Sequence, residues 1–340
     1  MESTTIGIDL AKNVFEVYVE EAGGAVVERR RLSRKKLLSW MANRPPALVG
    51  MEACGGAHYW ARELTKLGHT VRLLAPQYVK PWVQTNKSDR ADARAICRAV
   101  QEPGMRCVGI ATEDQHAVQA LHRVRSRLLR SRTAVVNQLR GLLLEYGVAI
   151  PQGLASLRKA LPLVLVDERW SGLFRQLLVE QQCEWQALDQ RIAVVTQQLE
   201  RLSQMDPVCV RLQQIPGIGP LSASALGVKL RGQAYTNGRH LAAALGLVPK
   251  HTGTGGRIQL GSISKRGDPY LRRLLIHGAR SVISHRREKV DPVSRWVGLL
   301  VERRGMNKAV VALANKNARV AFAVLTSGHT YEGTKMCHVG

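Results

Sequence analysis

The sequence predicts an α/β domain at the N-terminus, a pair of long helices in the middle and a mostly α C-terminal domain. Over roughly the first 105 residues, short apolar runs alternate with helical patterns. Apolar residues then recur every three or four positions over long stretches, and beyond residue 206 glycine-rich segments at 215–219 and 252–261 interrupt the helical pattern. We therefore divide the chain into domains at 1–105, 106–205 and 206–327, followed by a flexible tail at 328–340.

The first domain opens with strands. One apolar run ends at Asp9, a second covers 14–19, and Gly23 and Gly24 predict the turn of a β-hairpin. The pattern then predicts a helix over 33–43 that Pro45 stops, a strand over 47–51, a helix over 59–67 and a strand over 70–74. Asp89 and Asp92 open a further helix.

Residues 113–146 and 168–202 predict two long amphipathic helices that pair as an antiparallel hairpin. We expect this hairpin to act as a spacer and an oligomerisation element; holding nucleic acid is the alternative. The outer face of the first helix is expected to carry six arginines: Arg123, Arg125, Arg127, Arg130, Arg132 and Arg140.

The charge of the chain indicates a polyanionic partner. There are 50 Lys and Arg against 26 Asp and Glu, and residues 206–340 alone hold 21 basic against six acidic side chains. Because the cations are spread over many elements without one amphipathic anchor helix, we favour nucleic acid over an anionic membrane surface.

The remaining composition indicates a cytoplasmic protein. The sequence has no signal peptide and no apolar run of membrane-spanning length. Six scattered cysteines without a C-x-x-C pair are expected to be reduced thiols. Motifs for nucleotide hydrolysis, dinucleotide redox chemistry, zinc proteolysis and esterase chemistry are missing.

Four carboxylates of the first domain predict a magnesium site. Asp9 and Glu52 each end an apolar strand, while Asp89 and Asp92 share one face of the first turn of a helix. Mg²⁺ prefers such hard oxygen ligands, and two ions can clamp a phosphodiester during displacement. Each acid alone also suits a helix cap or a turn, and in that interpretation the four would not converge.

The segment 215–220 predicts the turn of a helix-hairpin-helix. Its glycines permit a tight turn and let backbone N–H groups approach a phosphate. We expect Pro216, Gly217, Ile218 and Gly219 to contact a DNA backbone; a plain turn is the alternative.

Residues 246–282 combine hydroxyls, glycines and cations. A hydroxyl between glycines can approach a phosphate closely, and neighbouring cations stabilise the charge that develops there. A phosphate-binding loop without a covalent step remains the alternative. The hydroxyls are Thr252, Thr254, Ser262 and Ser264, and the cations are Lys250, Arg257, Lys265, Arg266, Arg272 and Arg273.

The ordered motif set resembles one family across about residues 5–325. The motifs are IGIDLAKNVF, MEACGGAHYWAREL, NKSDRADA, IPGIG, ALGLVPKHTGTGG and SISKRGDPYLRRLLIHGAR. The family is that of insertion-sequence transposases with a RuvC-like DEDD domain, a C-terminal serine domain and an element-encoded bridge RNA.

The resemblance implies an RNase H-like fold in which Asp9, Glu52, Asp89 and Asp92 hold Mg²⁺. The family's nucleophilic serine lies five residues after the proline of its GLxP motif, and here that position, counted from Pro249, is Thr254. The chain departs from the family there, so Thr252, Ser262 and Ser264 stay as fallback nucleophiles.

The resemblance also implies how the protein works. DNA strands would be exchanged through a covalent link between a hydroxyl side chain and a DNA phosphate, in a composite site of a homo-oligomer. A guide RNA would select the target, while Arg123, Arg127 and Arg130 would join the C-terminal cations in holding nucleic acid. The location is then cytoplasmic, at the nucleoid.

Two other functions are weighed against this one. A metal-dependent nuclease or Holliday-junction resolvase would need the four acids but not Thr254, because water would be its nucleophile. A structural nucleic-acid-binding protein would need neither, and its binding would not depend on Mg²⁺.

Overall fold

The computed structural model describes residues 4–21, 23–83, 88–231, 235–253, 257, 259–285 and 291–331. The chain forms two compact units. The first comprises Met1–His116 with Val228–His240, and the second comprises Ala117–Gly227 with Leu241–Gly340.

A mixed six-stranded sheet forms the centre of the first unit. Its strands lie in the order β3-β2-β1-β4-β5-β6, with β1, β4 and β5 parallel and the others antiparallel to their neighbours. The strands are β1 (Thr5–Leu10), β2 (Val14–Glu20), β3 (Val26–Ser33), β4 (Leu48–Glu52), β5 (Thr70–Leu74) and β6 (Cys107–Val108).

Helices cover the sheet of the first unit. Ile6, Ile8, Phe15 and Val49 point from the sheet into a core in which Trp60 packs edge-on against Phe15. The helices are α1 (Leu37–Ala42), α2 (Ala57–Lys66), α3 (Pro76–Val79) with a following 3₁₀ turn (Lys80–Trp82), and α4 (Asp89–Gln101). This mixed sheet with packed helices is consistent with the expected RNase H-like domain.

Most predicted elements of this unit are confirmed, with one shifted boundary. The hairpin, β4, α2, β5 and the start of α4 lie within about two residues of where the sequence places them. The helix predicted from residue 33 begins only at Leu37, because β3 continues to Ser33, which pairs with Val14. Helix α3 and strand β6 were not predicted, since two to four residues carry no detectable periodicity.

The predicted helical hairpin is confirmed in the second unit. Helices α5 (Glu113–Glu145) and α7 (Gly172–Met205) are antiparallel: Arg125 donates to the Thr196 hydroxyl at 2.8 Å, and one heptad later Arg132 pairs with Asp189 at 3.0 Å. Helix α6 (Leu154–Leu165) lies between them in the chain and was not predicted. Helix α7 starts four residues later than expected because Ser171 caps it.

In the rest of the second unit, the described residues form helices and a small sheet. Strands β7 (Pro249–Thr252) and β8 (Gln259–Ile263) pair where the sequence predicted only a glycine-rich interruption. The helices are α8 (Pro207–Gln213), α9 (Pro220–Arg231), α10 (Gly238–Ala244), α11 (Pro269–Ser284), α12 (Pro292–Arg304) and α13 (Met306–Ser327). Of the predicted tail, residues 332–340 lie outside the described residues.

Helix α13 has the length and apolar composition of a membrane-spanning helix. Its buried positions, among them Ala309, Leu313, Ala314 and Ala318, nevertheless pack into the unit against α11 and α12. Burial among other helices explains the apolar composition, so α13 is a core helix of this unit. The cysteines within the described residues are free thiols, as expected; Cys337 lies outside them.

Candidate active site

The register of β1 and β4 brings the first two predicted acids together. The strands are parallel, with Gly7 opposite Gly50 and Ile8 opposite Met51. The next positions along them are Asp9 and Glu52. Because side chains alternate between faces, both carboxylates lie on the sheet face of the two glycines, at the carboxyl ends of neighbouring strands.

Helix α4 brings the other two acids to this place. A Cβ atom at Gly7 would lie 2.2 Å from the Ala93 carbonyl oxygen, and one at Gly50 would lie 2.8 Å from Cβ of Val100. The two glycines therefore let the helix lie directly on the sheet. Its first turn, which carries Asp89 and Asp92, reaches the end of β1.

The start of α4 is held by a cap. The Ser88 hydroxyl accepts a hydrogen bond from the Ala91 backbone N–H at 3.3 Å. Capping fixes where the helix begins, and with it the positions of the two aspartates in the first turn. Two acids in that turn also interact favourably with the helix dipole.

The other three predicted acids lie near enough to Asp9 to affect its pKa. Burial raises the pKa of Asp9 to about 6, and repulsion from Asp92, Asp89, Glu52 and Glu16 adds to this effect. The alternative in which the four acids are separate caps predicts no such convergence. Their catalytic and metal-binding roles remain predictions.

Glu16 was missed by the sequence analysis. It lies on β2 directly opposite Asp9, and its carboxylate pairs with Arg31 at 3.4 Å. The signal was available, because alternation along β2 puts Phe15, Val17 and Val19 on one face and Glu16 on the other. Glu16 adds negative charge beside the four predicted acids.

The chemistry of the cluster fits a divalent cation. Carboxylate oxygens are hard ligands, and a bound cation would favour the ionised form of Asp9, which burial and the neighbouring acids disfavour. Among the residues that the structure describes, no group of three or more Asp, Glu, His or Cys side chains is arranged to hold a metal ion. The four carboxylates thus supply donor atoms of a suitable type, but their described positions do not form a ligand set for a metal ion.

The predicted nucleophile, Thr254, lies outside the described residues. Of the fallback hydroxyls, Thr252 on β7 and Ser262 on β8 are exposed, and the Ser264 hydroxyl accepts weakly from the Arg266 backbone N–H at 3.5 Å. Exposed cations surround this segment: Lys250, Arg257, Lys265, Arg266 and Arg273. Two of the predicted hydroxyls and five of the predicted cations are therefore at the surface of the second unit.

Arg272 differs from these cations. Its guanidinium donates to the Leu245 carbonyl at 3.0 Å and to the Arg266 carbonyl at 3.3 Å. A Cβ atom at Gly267 would lie 1.7 Å from the Ala244 carbonyl, so the two segments touch through their backbones. Arg272 holds them together, and phosphate binding by this residue stays a prediction.

The turn between α8 and α9 is tightly packed. Gly217 has a φ of +89°, and a Cβ atom on it would lie 3.0 Å from the carbonyl of Gly278 on α11. The Pro216 carbonyl accepts from buried Asn317 on α13 at 2.8 Å, and Ile218 is buried. Packing against α11 therefore explains the glycine at position 217. The DNA contact of Pro216, Gly217, Ile218 and Gly219 stays a prediction.

The arginines of α5 divide into two groups, which corrects the expectation of one outer face. Arg123, Arg127 and Arg130 are exposed on one side of the helix. The other three bond to residues outside α5. Arg125 and Arg132 reach α7, and Arg140 donates to the Gly153 carbonyl. Helical periodicity turns the last three toward neighbouring segments.

Two family models match the chain. The model of the Transposase IS116/IS110/IS902 family matches residues 209–293, and the model of the DEDD transposase domain of IS110 elements matches residues 6–148. The second match includes Asp9, Glu52, Asp89 and Asp92, and its DEDD type implies a divalent metal ion.

Curated relatives match the chain over nearly its whole length. A probable family 20 transposase of Pseudomonas aeruginosa is 48% identical over 97% of this chain and 99% of that protein. The transposase for insertion sequence element IS1111A of Coxiella burnetii is 41% identical over 96% of this chain and 90% of that protein. The transposase for IS1328 of Yersinia enterocolitica is 40% identical over 96% of this chain and 98% of that protein.

Proposed function

Because the chain belongs to the IS116/IS110/IS902 family of insertion-sequence transposases, which cleave and transfer DNA strands, we propose that it does so by attack of a side-chain hydroxyl on a DNA phosphate, assisted by Mg²⁺. The observation that supports the proposal is that Asp9, Glu52, Asp89 and Asp92 lie near one another at the carboxyl ends of β1 and β4: burial, followed by repulsion from the other three acids and Glu16, raises the pKa of Asp9 to about 6.

The four carboxylates are proposed to hold the metal. When bound, Mg²⁺ would supply Lewis-acid stabilisation of the phosphate charge. The protein contributes the positions of the ligands: Asp9 and Glu52 are fixed by the β1–β4 register, and Asp89 and Asp92 by the capped first turn of α4.

Thr254 is our first candidate for the nucleophile. Its hydroxyl oxygen would form a bond to phosphorus while the bond from phosphorus to one DNA oxygen breaks, and the hydroxyl proton would end on the departing DNA oxygen. A DNA hydroxyl of the second strand would then attack the same phosphorus and restore the free threonine, so no external energy source is needed. The extra methyl group of threonine relative to serine stiffens the rotamer, and we expect slower attack.

The basic surface is proposed to hold the nucleic acids. The exposed side chains of Arg123, Arg127 and Arg130 on α5 and the cations between Lys250 and Arg273 are suited to phosphate contacts. Such contacts position a duplex without reading its sequence. By the resemblance, sequence would come from pairing with a guide RNA, and the protein would work as a homo-oligomer at the nucleoid in the cytoplasm.

These proposed roles also divide the chain into domains. We propose a RuvC-like catalytic domain over 1–105, a helical oligomerisation region over 106–205 and a C-terminal transposase domain with a helix-hairpin-helix over 206–327. The tail at 328–340 is outside this assignment.

A strand-transfer assay tests the mechanism. Purified protein, RNA transcribed from the element's flank and DNA carrying the element junction and target would be combined with Mg²⁺ and resolved on a denaturing gel. We expect wild-type protein to give a covalent protein–DNA species and joined strands. Asp9→Asn and Thr254→Ala should each abolish both products, while Thr254→Ser should retain them.

Two results would change the mechanism. Cleavage by Thr254→Ala without any covalent species would establish a metal-dependent nuclease or junction resolvase that uses water. A covalent species that survives Thr254→Ala would move the nucleophile to Thr252, Ser262 or Ser264, and alanine variants of these three residues would identify it.

A further inference from the structure

The second unit contains a groove lined by apolar and basic side chains. It lies between the β7–β8 sheet and helices α12 and α13, and its volume is about 780 Å³. Leu247, Ile263, Val311 and Ala312 contribute apolar surface, and Trp296 of α12 contributes an aromatic ring. We call it the Trp296 groove.

The groove is positively charged. Lys308, Lys316 and Arg319 of α13 line it, and none of the described lining residues is acidic. The three cations recur at spacings of eight and three residues, which places them on one side of the helix. A ligand of this groove therefore combines apolar or aromatic surface with negative charge.

Trp296 and Lys316 combine these two properties at one point. The Lys316 ammonium lies 4.7 Å from the centroid of the indole ring. This is a cation–π contact, so an aromatic face and a positive charge lie side by side in the groove. Stacked bases and nearby phosphates are the groups that aromatic side chains and cations recognise together in single-stranded nucleic acids.

The position of the groove in the fold favours DNA as the ligand. Ser262 and Ile263 of β8 line it, as does Pro249 of β7. These two strands flank residues 253–258, the segment in which the proposed nucleophile lies. If Thr254 attacks DNA as proposed above, the attacked strand would come near the ends of β7 and β8, which form the wall of the groove.

Gly261 leaves space for a ligand at the wall of the groove. A Cβ atom there would meet nothing closer than 3.8 Å, so the packing of the unit does not require a glycine. A glycine on a groove wall lets a ligand approach the backbone closely.

We propose that the Trp296 groove binds an unpaired segment of the DNA strand, with a base stacked on Trp296 and neighbouring phosphates held by Lys308, Lys316 and Arg319. Bases inside a duplex are covered by their neighbours, so the site selects unstacked DNA. This inference rests on the proposed function, since it takes DNA as the substrate.

Binding of a short oligothymidine tests the site. Fluorescence anisotropy of a labelled strand of about eight nucleotides would be compared with that of a hairpin duplex. We expect Trp296→Ala to weaken single-strand binding roughly tenfold and to leave duplex binding unchanged. Trp296→Phe should restore most of the affinity, because phenylalanine keeps a stacking face.

Further variants test the role of the cations, and thermal unfolding tests whether each variant folds. Lys316→Ala should lower the slope of log affinity against log salt by about 0.7, the value for one single-strand phosphate contact. Arg304→Ala, an exposed cation on α12 outside the groove, should lower the affinity less than Lys316→Ala does. Thermal unfolding of every variant would verify that it folds.

Three results would overturn the proposal. Single-strand binding by Trp296→Ala within twofold of wild type would remove the stacking role, and an equal loss for duplex and single strand would remove the preference for unpaired DNA. A Trp296 effect seen with oligouridine but not with oligothymidine would make the groove an RNA site. Strand transfer is measured in a separate assay. The groove proposal can therefore be refuted while the proposed function is supported, and the proposed function can be refuted while the groove proposal is supported.

Discussion

At the scale of single residues, charge and close contact dominate. Asp9 is held among four other carboxylates, and His122 is buried on α5 between two hydroxyl groups. The pKa of each of these side chains is shifted from its ordinary value, and each shift makes the stability of the fold depend on pH.

Asp9→Asn should stabilise the metal-free protein. The folded pKa of Asp9, about 6, lies above the ordinary value of 3.8, so ionised Asp9 lowers the stability of the fold above pH 6. Removing this charge should raise the free energy of unfolding at pH 8 by on the order of 1 kcal/mol, since water still reaches the half-buried carboxylate. The same variant should lose any stabilisation by Mg²⁺.

Thermal unfolding with Mg²⁺ and with a chelator would measure both effects. Glu102→Gln removes an exposed acid of the same unit and is the matched control; it should change neither quantity much. A lower melting temperature for Asp9→Asn in chelator would contradict the repulsion on which the site is built.

His122 should make the second unit sensitive to acid. Its ring contacts the Tyr270 hydroxyl at 2.9 Å and the Ser224 hydroxyl at 3.1 Å. Burial, with a smaller effect of Arg125, lowers the pKa of His122 to about 4 from 6.5. The unfolded chain therefore takes up the proton first, and stability present above pH 6.5 is lost as the pH falls toward 4, by roughly 3 kcal/mol.

The check is the free energy of unfolding between pH 4.5 and 7, with wild type beside His122→Gln. Glutamine keeps polar atoms near both hydroxyls without titrating, so the variant should show a flatter profile. Asp9 acts in the opposite direction in this range, and the difference between the two proteins removes its contribution. Exposed His251→Gln should follow the wild-type profile.

At the scale of elements, close backbone contacts decide the arrangement. Gly7 and Gly50 let α4 lie on the sheet, and Gly278 lets α11 lie against the turn between α8 and α9. Each contact brings a predicted functional segment into a defined position. The elements around it therefore tolerate little added volume.

Two helical glycines provide a matched pair of substitutions. A Cβ atom at Gly278 would lie 1.8 Å from the Gly217 carbonyl oxygen, so Gly278→Ala should destabilise the second unit by roughly 3 kcal/mol. A Cβ atom at Gly298 on α12 would meet nothing within 4 Å, and Gly298→Ala should stabilise it by about 1 kcal/mol through helix propensity. Denaturant unfolding measures the free energy of unfolding of both variants. Equal changes in the two variants would contradict the close packing at Gly278.

At the scale of the whole molecule, the net charge of +24 governs association with nucleic acid. Phosphate contacts release counterions, so DNA affinity should fall steeply between low and moderate salt. The exposed arginines of α5 are a defined part of this surface, whereas their neighbours Arg125 and Arg132 already bond to α7.

Replacing Arg123, Arg127 and Arg130 together by glutamine should lower the salt slope of duplex binding by about 2 to 3, close to 0.9 for each phosphate contact. Anisotropy titrations at several salt concentrations measure the slope. Arg169→Gln is the control, because exposed Arg169 is already paired with Asp167 at 2.6 Å, and its slope should match wild type. An unchanged slope for the triple variant would remove α5 from the DNA-binding surface.

The sequence alone determined most elements of the first unit and the long helices of the second, and it supplied the four acids as candidates. Periodicity over long stretches located α5 and most of α7, and the order of the motifs indicated the family. It failed for α3, α6, β6 and the β7–β8 sheet, which are short or follow turns that periodicity does not describe. The sequence analysis missed Glu16 although the alternation of apolar and polar side chains along β2 was visible. A charged residue within a strand more often faces solvent, so Glu16 did not stand out as a site residue.

Only the tertiary structure decided which residues meet. Asp9 and Glu52 are 43 positions apart in the chain and become neighbours through the β1–β4 register, while the glycines beneath α4 bring Asp89 and Asp92 to them. The Trp296 groove likewise joins β8, α12 and α13. Periodicity records how each element orients its own side chains, whereas proximity between elements depends on strand register and packing, which no single stretch of sequence contains.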